Sequence, residues 1–128
     1  MEARAIKRYL RVSPRKMRLA IDMIRGRNVK EALSLLQHSP KRAARETAKV
    51  LWSAYSNLQH KYDDRYIDPE QVQIVKAYVD PGPIYKRIRP APMGRAYRVR
   101  KRTSHVTIVV AAQLPEEEPE EGFETVEQ

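Results

Sequence analysis

Cysteine is absent from this 128-residue chain, so it can form neither a disulfide nor a thiolate metal site. Glycine occurs only four times and never in a phosphate-cradling loop. No apolar run approaches the length needed to span a bilayer. Met1-Glu2-Ala3-Arg4 leads into no signal-peptide core, which points to a cytoplasmic protein. The three histidines, His38, His60 and His105, have no second ligand at helical or hairpin spacing, so solvent-facing or capping roles are expected before zinc. Asp63, Asp64 and Asp68 resemble part of a calcium loop, but the following glycine and the closing glutamate are missing. Ser13, Ser34 and Ser104 lack the setting of a nucleophile elbow. No catalytic constellation emerges, and no cofactor, metal or small-molecule substrate is expected.

Acidic residues are also scarce, except at one end. Residues 115–128 hold seven glutamates and no base, which leaves 25 basic and 9 acidic residues in 1–114, a balance of +16. From Pro83 to Thr103 there are eight Lys or Arg and no acid. Burying unpaired charges would cost several kcal/mol each, so this segment must stand in solvent or lie against a polyanion. Nucleic acid is the polyanion expected. An anionic membrane would favour an amphipathic basic helix, whereas this segment is rich in proline and β-formers. No membrane partner is therefore expected.

The rest of the chain can be divided into elements. Ile6, Tyr9, Leu10 and Val12 suit an extended edge segment. Ser13-Pro14 marks a helix start, with Ser as N-cap and Pro at the first position. Met17, Ala20, Ile21 and Ile24 follow at helical spacing, and Gly26 closes the helix. A second helix begins at Asn28, with Glu31 completing a capping-box pattern and Ala32, Leu33 and Leu36 giving an apolar face. Ser39-Pro40 repeats the start signal and should open the longest helix. Its stripe of Ala44, Thr47, Ala48, Leu51, Ala54, Tyr55 and Leu58 runs to about His60, with Trp52 at the core margin. A turn-rich loop follows from Asp63 to Glu70.

Val72 to Val79 and Val106 to Ala112 are β-rich runs flanking the basic segment, so one long antiparallel hairpin is the simplest topology. Arms from Asp80 to Arg89 and from Arg95 to Ser104, at roughly 3.3 Å per residue, would each extend about 33 Å. A compact domain of this size has a radius of gyration of only about 13 Å, so the hairpin must project. Alternation along the strands sets Arg98, Arg100 and Arg102 on one side of their arm. Arg87 and Arg89 share a side with Tyr85 on the other arm, giving a row of guanidinium groups suited to phosphate contacts. The expected fold class is therefore α+β. Three helices pack on a small antiparallel β-sheet, with a long protruding basic β-hairpin at about 80–104. The expected organisation is one RNA-binding domain, 1–114, followed by a disordered acidic tail, 115–128.

Several motifs together resemble the bacterial large-subunit ribosomal protein L twenty-two family. They are Val12-Ser13-Pro14-Arg15-Lys16-Met17-Arg18, Ile24-Arg25-Gly26-Arg27, Lys49-Val50-Leu51-Trp52-Ser53-Ala54, Val79-Asp80-Pro81-Gly82-Pro83, Lys86-Arg87-Ile88, Gly94-Arg95-Ala96 and Lys101-Arg102-Thr103-Ser104-His105-Val106-Thr107. The similarity covers about residues 5 to 111, in the same order and spacing. It implies a structural, non-enzymatic protein of the ribosome, partnered by large-subunit rRNA and neighbouring ribosomal proteins. The globular domain would sit on the ribosomal surface, and the hairpin would line the nascent-peptide exit tunnel.

Arg15, Lys16 and Arg18 match the family's RNA-facing helix start. Lys86, Arg87, Gly94, Arg95, Lys101 and Arg102 match its hairpin positions, and the arginine rows add Arg89, Arg98 and Arg100 to the expected rRNA-binding set. The tip that would meet the nascent peptide is Arg89, Pro90, Ala91, Pro92, Met93, Gly94 and Arg95. Ala91 and Met93 stand where the family usually has basic residues, partly offset by Arg89, and the acidic tail lies outside the family pattern. The alternative is a free nucleic-acid-binding protein, an architectural factor or RNA chaperone whose basic hairpin enters a groove. A metal-dependent nuclease built on Asp63, Asp64 and Asp68 is a further rival.

Overall fold

The computed structural model describes residues 2–90, 92–94 and 96–112; for residues 87, 89, 90, 92 and 96–99 it describes the backbone alone. The expected acidic tail and the tip residues Ala91 and Arg95 lie outside the described residues. The elements run β1 (Glu2–Leu10), α1 (Pro14–Ile24), α2 (Val29–Gln37), α3 (Arg42–Lys61), a short 3-10 turn (Pro69–Gln71), β2 (Val72–Pro90) and β3 (Ala96–Ala112). The sheet is antiparallel with β3 in the middle, in the order β1-β3-β2. The three helices pack on this sheet, giving the expected α+β architecture.

Two of the three helix starts follow the sequence signals. Ser13 caps α1 by accepting from the Lys16 backbone N–H, with Pro14 in the first turn. Gly26 terminates it in a left-handed conformation, φ 84°. Asn28 caps α2 by accepting from the Glu31 N–H at 2.7 Å, but the capping box is half formed, because the Glu31 carboxylate pairs with Arg27 at 2.8 Å. The expectation for α3 needs correction. Its N-cap is Lys41, not Ser39, and Lys41 makes no side-chain capping bond. Ser39 instead accepts from the Lys41 N–H outside the helix. Pro40 and Lys41 are exposed, so extending the helix backwards would bury nothing to offset the ordering cost.

The apolar stripe of α3 is largely buried, with Leu51, Ala54 and Leu58 fully enclosed and Ala43 and Val50 widening it. Thr47 is fully buried and turns its hydroxyl back onto the Ala43 carbonyl at 2.8 Å. Met17, Ile21 and Ile24 of α1 and Val29, Ala32 and Leu36 of α2 join the same cluster, together with Val106, Ile108 and Val110 of β3. Leu33 and Ala48 sit at its edge, half-buried. Trp52 is exposed at the margin, its ring 5.3 Å from that of Tyr55.

Helix side chains close both outer edges of the sheet. On β2, Arg25 donates to the Ala77 carbonyl through Nε at 3.2 Å and Nη2 at 2.8 Å, and Arg18 donates to the Val79 carbonyl at 3.3 Å. On β1, Asn57 and Lys61 of α3 donate to the Arg4 and Glu2 carbonyls at 2.9 and 3.0 Å. These side chains occupy backbone acceptors that would otherwise invite another strand.

Candidate nucleic-acid interface

Where β1 ends, the three-stranded sheet narrows to a two-stranded ribbon. Ser104 is paired on both sides at this point, with Leu10 of β1 and Pro81 of β2, and both outer strands shift register beside it. Thr103, Ser104 and His105 then tie three segments together. Thr103 donates to the Pro83 carbonyl at 2.7 Å, and Ser104, fully buried, donates to the Val12 carbonyl at 2.5 Å. His105 accepts from the Tyr9 backbone N–H at 3.1 Å through Nδ1, while the two rings meet edge-on at 4.9 Å. Tyr9 itself holds a left-handed φ of 61°, and these two contacts offset its strain. Gly82 lies so close that an added Cβ would run into the Thr103 hydroxyl and the His105 ring.

Beyond this root the arms pair in continuous register from Ile84↔Arg102 to Pro90↔Ala96, roughly 23 Å at 3.3 Å per residue. Every side chain described on this stretch is exposed, including Ile84, Tyr85, Lys86, Ile88, Arg100, Lys101 and Arg102. Lys86 faces Arg100 directly, an opposition of like charges that weakens an isolated ribbon. The single row of guanidinium groups needs refinement. The register sets positions 86, 98, 100 and 102 in one alternating set, and positions 85, 87, 89 and 101 in the other. The charge is thus divided between two faces. At the end, Pro92–Gly94 forms a tight turn in which Met93, 93% exposed, adopts a left-handed φ of 63°.

The residues that converge are at the root. A groove of about 570 Å³ is lined by Arg11, Ser13, Lys16, Arg42, Tyr85, Arg100, Lys101, Arg102 and Thr103. Its six cations come from the end of β1, the first turns of α1 and α3, and the β3 arm. None of these six pairs with a carboxylate among the described residues. The ion pairs of the body, such as Arg25–Asp22 and Lys30–Glu70, lie on other surfaces. That second contact, at 2.8 Å, raises the Lys30 pKa, chiefly through the hydrogen bond from its ammonium to Glu70. The positive end of α3, without a side-chain cap, adds to the groove's potential.

Of the expected binding residues, Lys16, Arg100, Lys101 and Arg102 are brought together here. Arg15 is exposed on α1, and Arg18 is engaged with Val79. Lys86 stands farther along the ribbon, the side chains of Arg87, Arg89 and Arg98 are not described, and Arg95 lies outside the described residues. Arg11 and Arg42 were missed. Each stands two residues from a helix-start signal, but only the packing of α1 and α3 beside the hairpin makes them neighbours of each other. The aspartate loop has structural roles: Asp68 accepts from the Glu70 N–H, and Asp64 pairs with Arg65 at 3.4 Å. Among the described residues no group of His or acids is placed to hold a metal, and no helix is long and apolar enough to cross a membrane.

The model of the family "Ribosomal protein L22p/L17e" matches residues 5–111. The chain is 51% identical over 109 residues to the large ribosomal subunit protein uL22 of Desulfitobacterium hafniense (strain DSM 10664 / DCB-2), covering 85% of this chain and 93% of that one. The protein of the same name from Clostridium novyi (strain NT) is 48% identical over 110 residues, covering 86% of this chain and 96% of its own length.

Proposed function

This chain belongs to the ribosomal protein L22p/L17e family, and from that premise we propose that it is a structural constituent of the large ribosomal subunit that grips rRNA through the hairpin and its root. The hairpin tip then reaches the nascent-peptide exit tunnel. The observation that carries this reading is the root groove, where six cations from distant parts of the chain meet and none pairs with a carboxylate among the described residues. Such an arrangement is repulsive by itself and becomes favourable when phosphates neutralise it. The ribbon supports the same conclusion: a two-stranded hairpin without an apolar face is marginal in water and needs an outside surface to hold it. The exposed, left-handed Met93 is the kind of strained apolar contact that recurs at functional tips.

Deleting Ile88 to Ala96 tests the division of labour. The groove and body remain, so the variant should still enter the large subunit on sucrose gradients, while tunnel width and macrolide sensitivity change. Loss of incorporation would show that the tip anchors the protein and does not shape the tunnel. Filter binding should show affinity for isolated rRNA falling by roughly 10³ to 10⁵ between low and moderate salt, as expected for on the order of eight phosphate contacts.

A further inference from the structure

The shape of the root groove says more than its charge. A regular RNA helix passing over the surface presents its phosphates along an edge and would be met best by a line of cations. Here the cations surround a concavity instead. An open concavity of about 570 Å³ lies between the end of β1, two helix starts and both hairpin arms, within the usual range for a small-molecule site of roughly 300–1,000 Å³. One wall is aromatic: Tyr85, with the Arg11 guanidinium carbon 6.0 Å from its ring centroid. The two aliphatic hydroxyls that line the groove are already used by the fold. Ser13 accepts from the Lys16 N–H, and Thr103 donates to the Pro83 carbonyl. What the groove offers a ligand is concentrated positive charge and the aromatic wall of Tyr85, beside which Arg11 stands.

We propose that this groove receives a single nucleotide extruded from rRNA, its flanking phosphates held by Arg11, Lys16, Arg42 and Arg100–Arg102 and its base stacked on Tyr85. The proposal rests on the rRNA-binding reading and sharpens it. A strand that leaves its helix and turns back brings successive phosphates close together, which matches six cations around one cavity better than a straight backbone does. Bases splayed out of a helix commonly stack on aromatic side chains. Every base has a π-face, so the site tolerates any base and reads the extruded shape.

The test uses the full chain and two RNA stem-loops of equal length, one fully paired and one carrying 2-aminopurine as a single bulged base. The bulged RNA should bind about tenfold more tightly, with the 2-aminopurine emission quenched on binding. Tyr85→Ala should abolish both the preference and the quenching, while Tyr85→Phe keeps them. Both variants should retain the salt slope and the helical circular dichroism of the parent. Equal affinity for the two RNAs with an intact salt slope overturns the groove assignment and leaves the general reading standing. A preference that survives Tyr85→Ala overturns it as well. Failure to bind either RNA in a salt-dependent way removes the underlying reading, and the proposal with it.

Discussion

In α3 most of a series of small and apolar side chains is enclosed: Leu51, Ala54 and Leu58 expose nothing, and even Thr47 is buried with its hydroxyl satisfied. In the hairpin beyond Thr103, from Ile84 to Arg102, the described side chains are all exposed and Lys86 opposes Arg100. Both regions are regular, hydrogen-bonded backbone, so regularity does not separate them. What separates them is the source of stability. The body draws on burial within the chain, and the ribbon, on the function proposed above, draws on a polyanion outside it. Between them lies the root, where the residues of the Thr103-Ser104-His105 run each bind a different segment and so fix the ribbon to the body.

The contrast should be largest in hydrogen exchange. In the free protein, amides of residues 44–58 should exchange only through global opening, which at about 5–15 kcal/mol slows them by 10³-fold or more. Amides of residues 84–90 and 96–102 should exchange within the dead time of a manual experiment. Adding rRNA should close most of that gap. Strong protection of the ribbon in the free protein would break the comparison.

Next in size is a core truncation. Leu51→Ala removes a fully buried side chain from α3 and should cost about 2–5 kcal/mol of body stability, read as a lower urea midpoint. Hydrogen exchange of the ribbon should stay as it was, because nothing it depends on has changed.

The root should show an intermediate effect. Gly82→Ala places a methyl group against the Thr103 hydroxyl and the His105 ring, and should cost about 1–3 kcal/mol as the ribbon is pushed off its seat. Ser104→Ala leaves the Val12 carbonyl without that donor and should cost a similar amount, about 1–3 kcal/mol. In both variants the amide resonances of Tyr9 and His105 should move, whereas those of α2 should not. Unchanged resonances in the two variants would mean that the lock does not tie β1 to the ribbon.

The body and ribbon were legible in the sequence for different reasons. The helices announced themselves through spacing and caps, and the ribbon through eight cations without an acid between two β-rich runs. The α3 start misled because Ser39-Pro40 carries the right residues, yet Pro40 and Lys41 are exposed and the helix begins only after them, with Lys41 as N-cap. The groove was half visible. Lys16 and Arg100–Arg102 stood out within basic runs, while Arg11 and Arg42 acquire their meaning only from tertiary packing. The root lock was hidden for the same reason: a threonine, a serine and a histidine in a strand carry no periodic signal, and their partners Pro83, Val12 and Tyr9 are set by the fold.

The smallest effect expected is on the body's one deeply placed tyrosine hydroxyl. Tyr55 is buried and donates to the Ile67 carbonyl, tying α3 to the loop that leads into β2. Burial disfavours its phenolate and pushes its pKa up from 10.0 to about 12. The folded state therefore holds this proton where the unfolded chain has begun to lose it. Stability from this group is fully present below pH 10 and is lost as pH rises from 10 towards 12, by at most about 1.4 kcal/mol per pH unit. Tyr55→Phe keeps the ring and removes the titrating group. It should cost about 1 kcal/mol at neutral pH through the missing hydrogen bond. Between pH 10 and 12 its stability should fall less steeply than the parent's, so the two urea-midpoint curves should converge. Parallel curves across that window would show that the hydroxyl is not held out of water, and that this part of the body resembles the ribbon more than the α3 core.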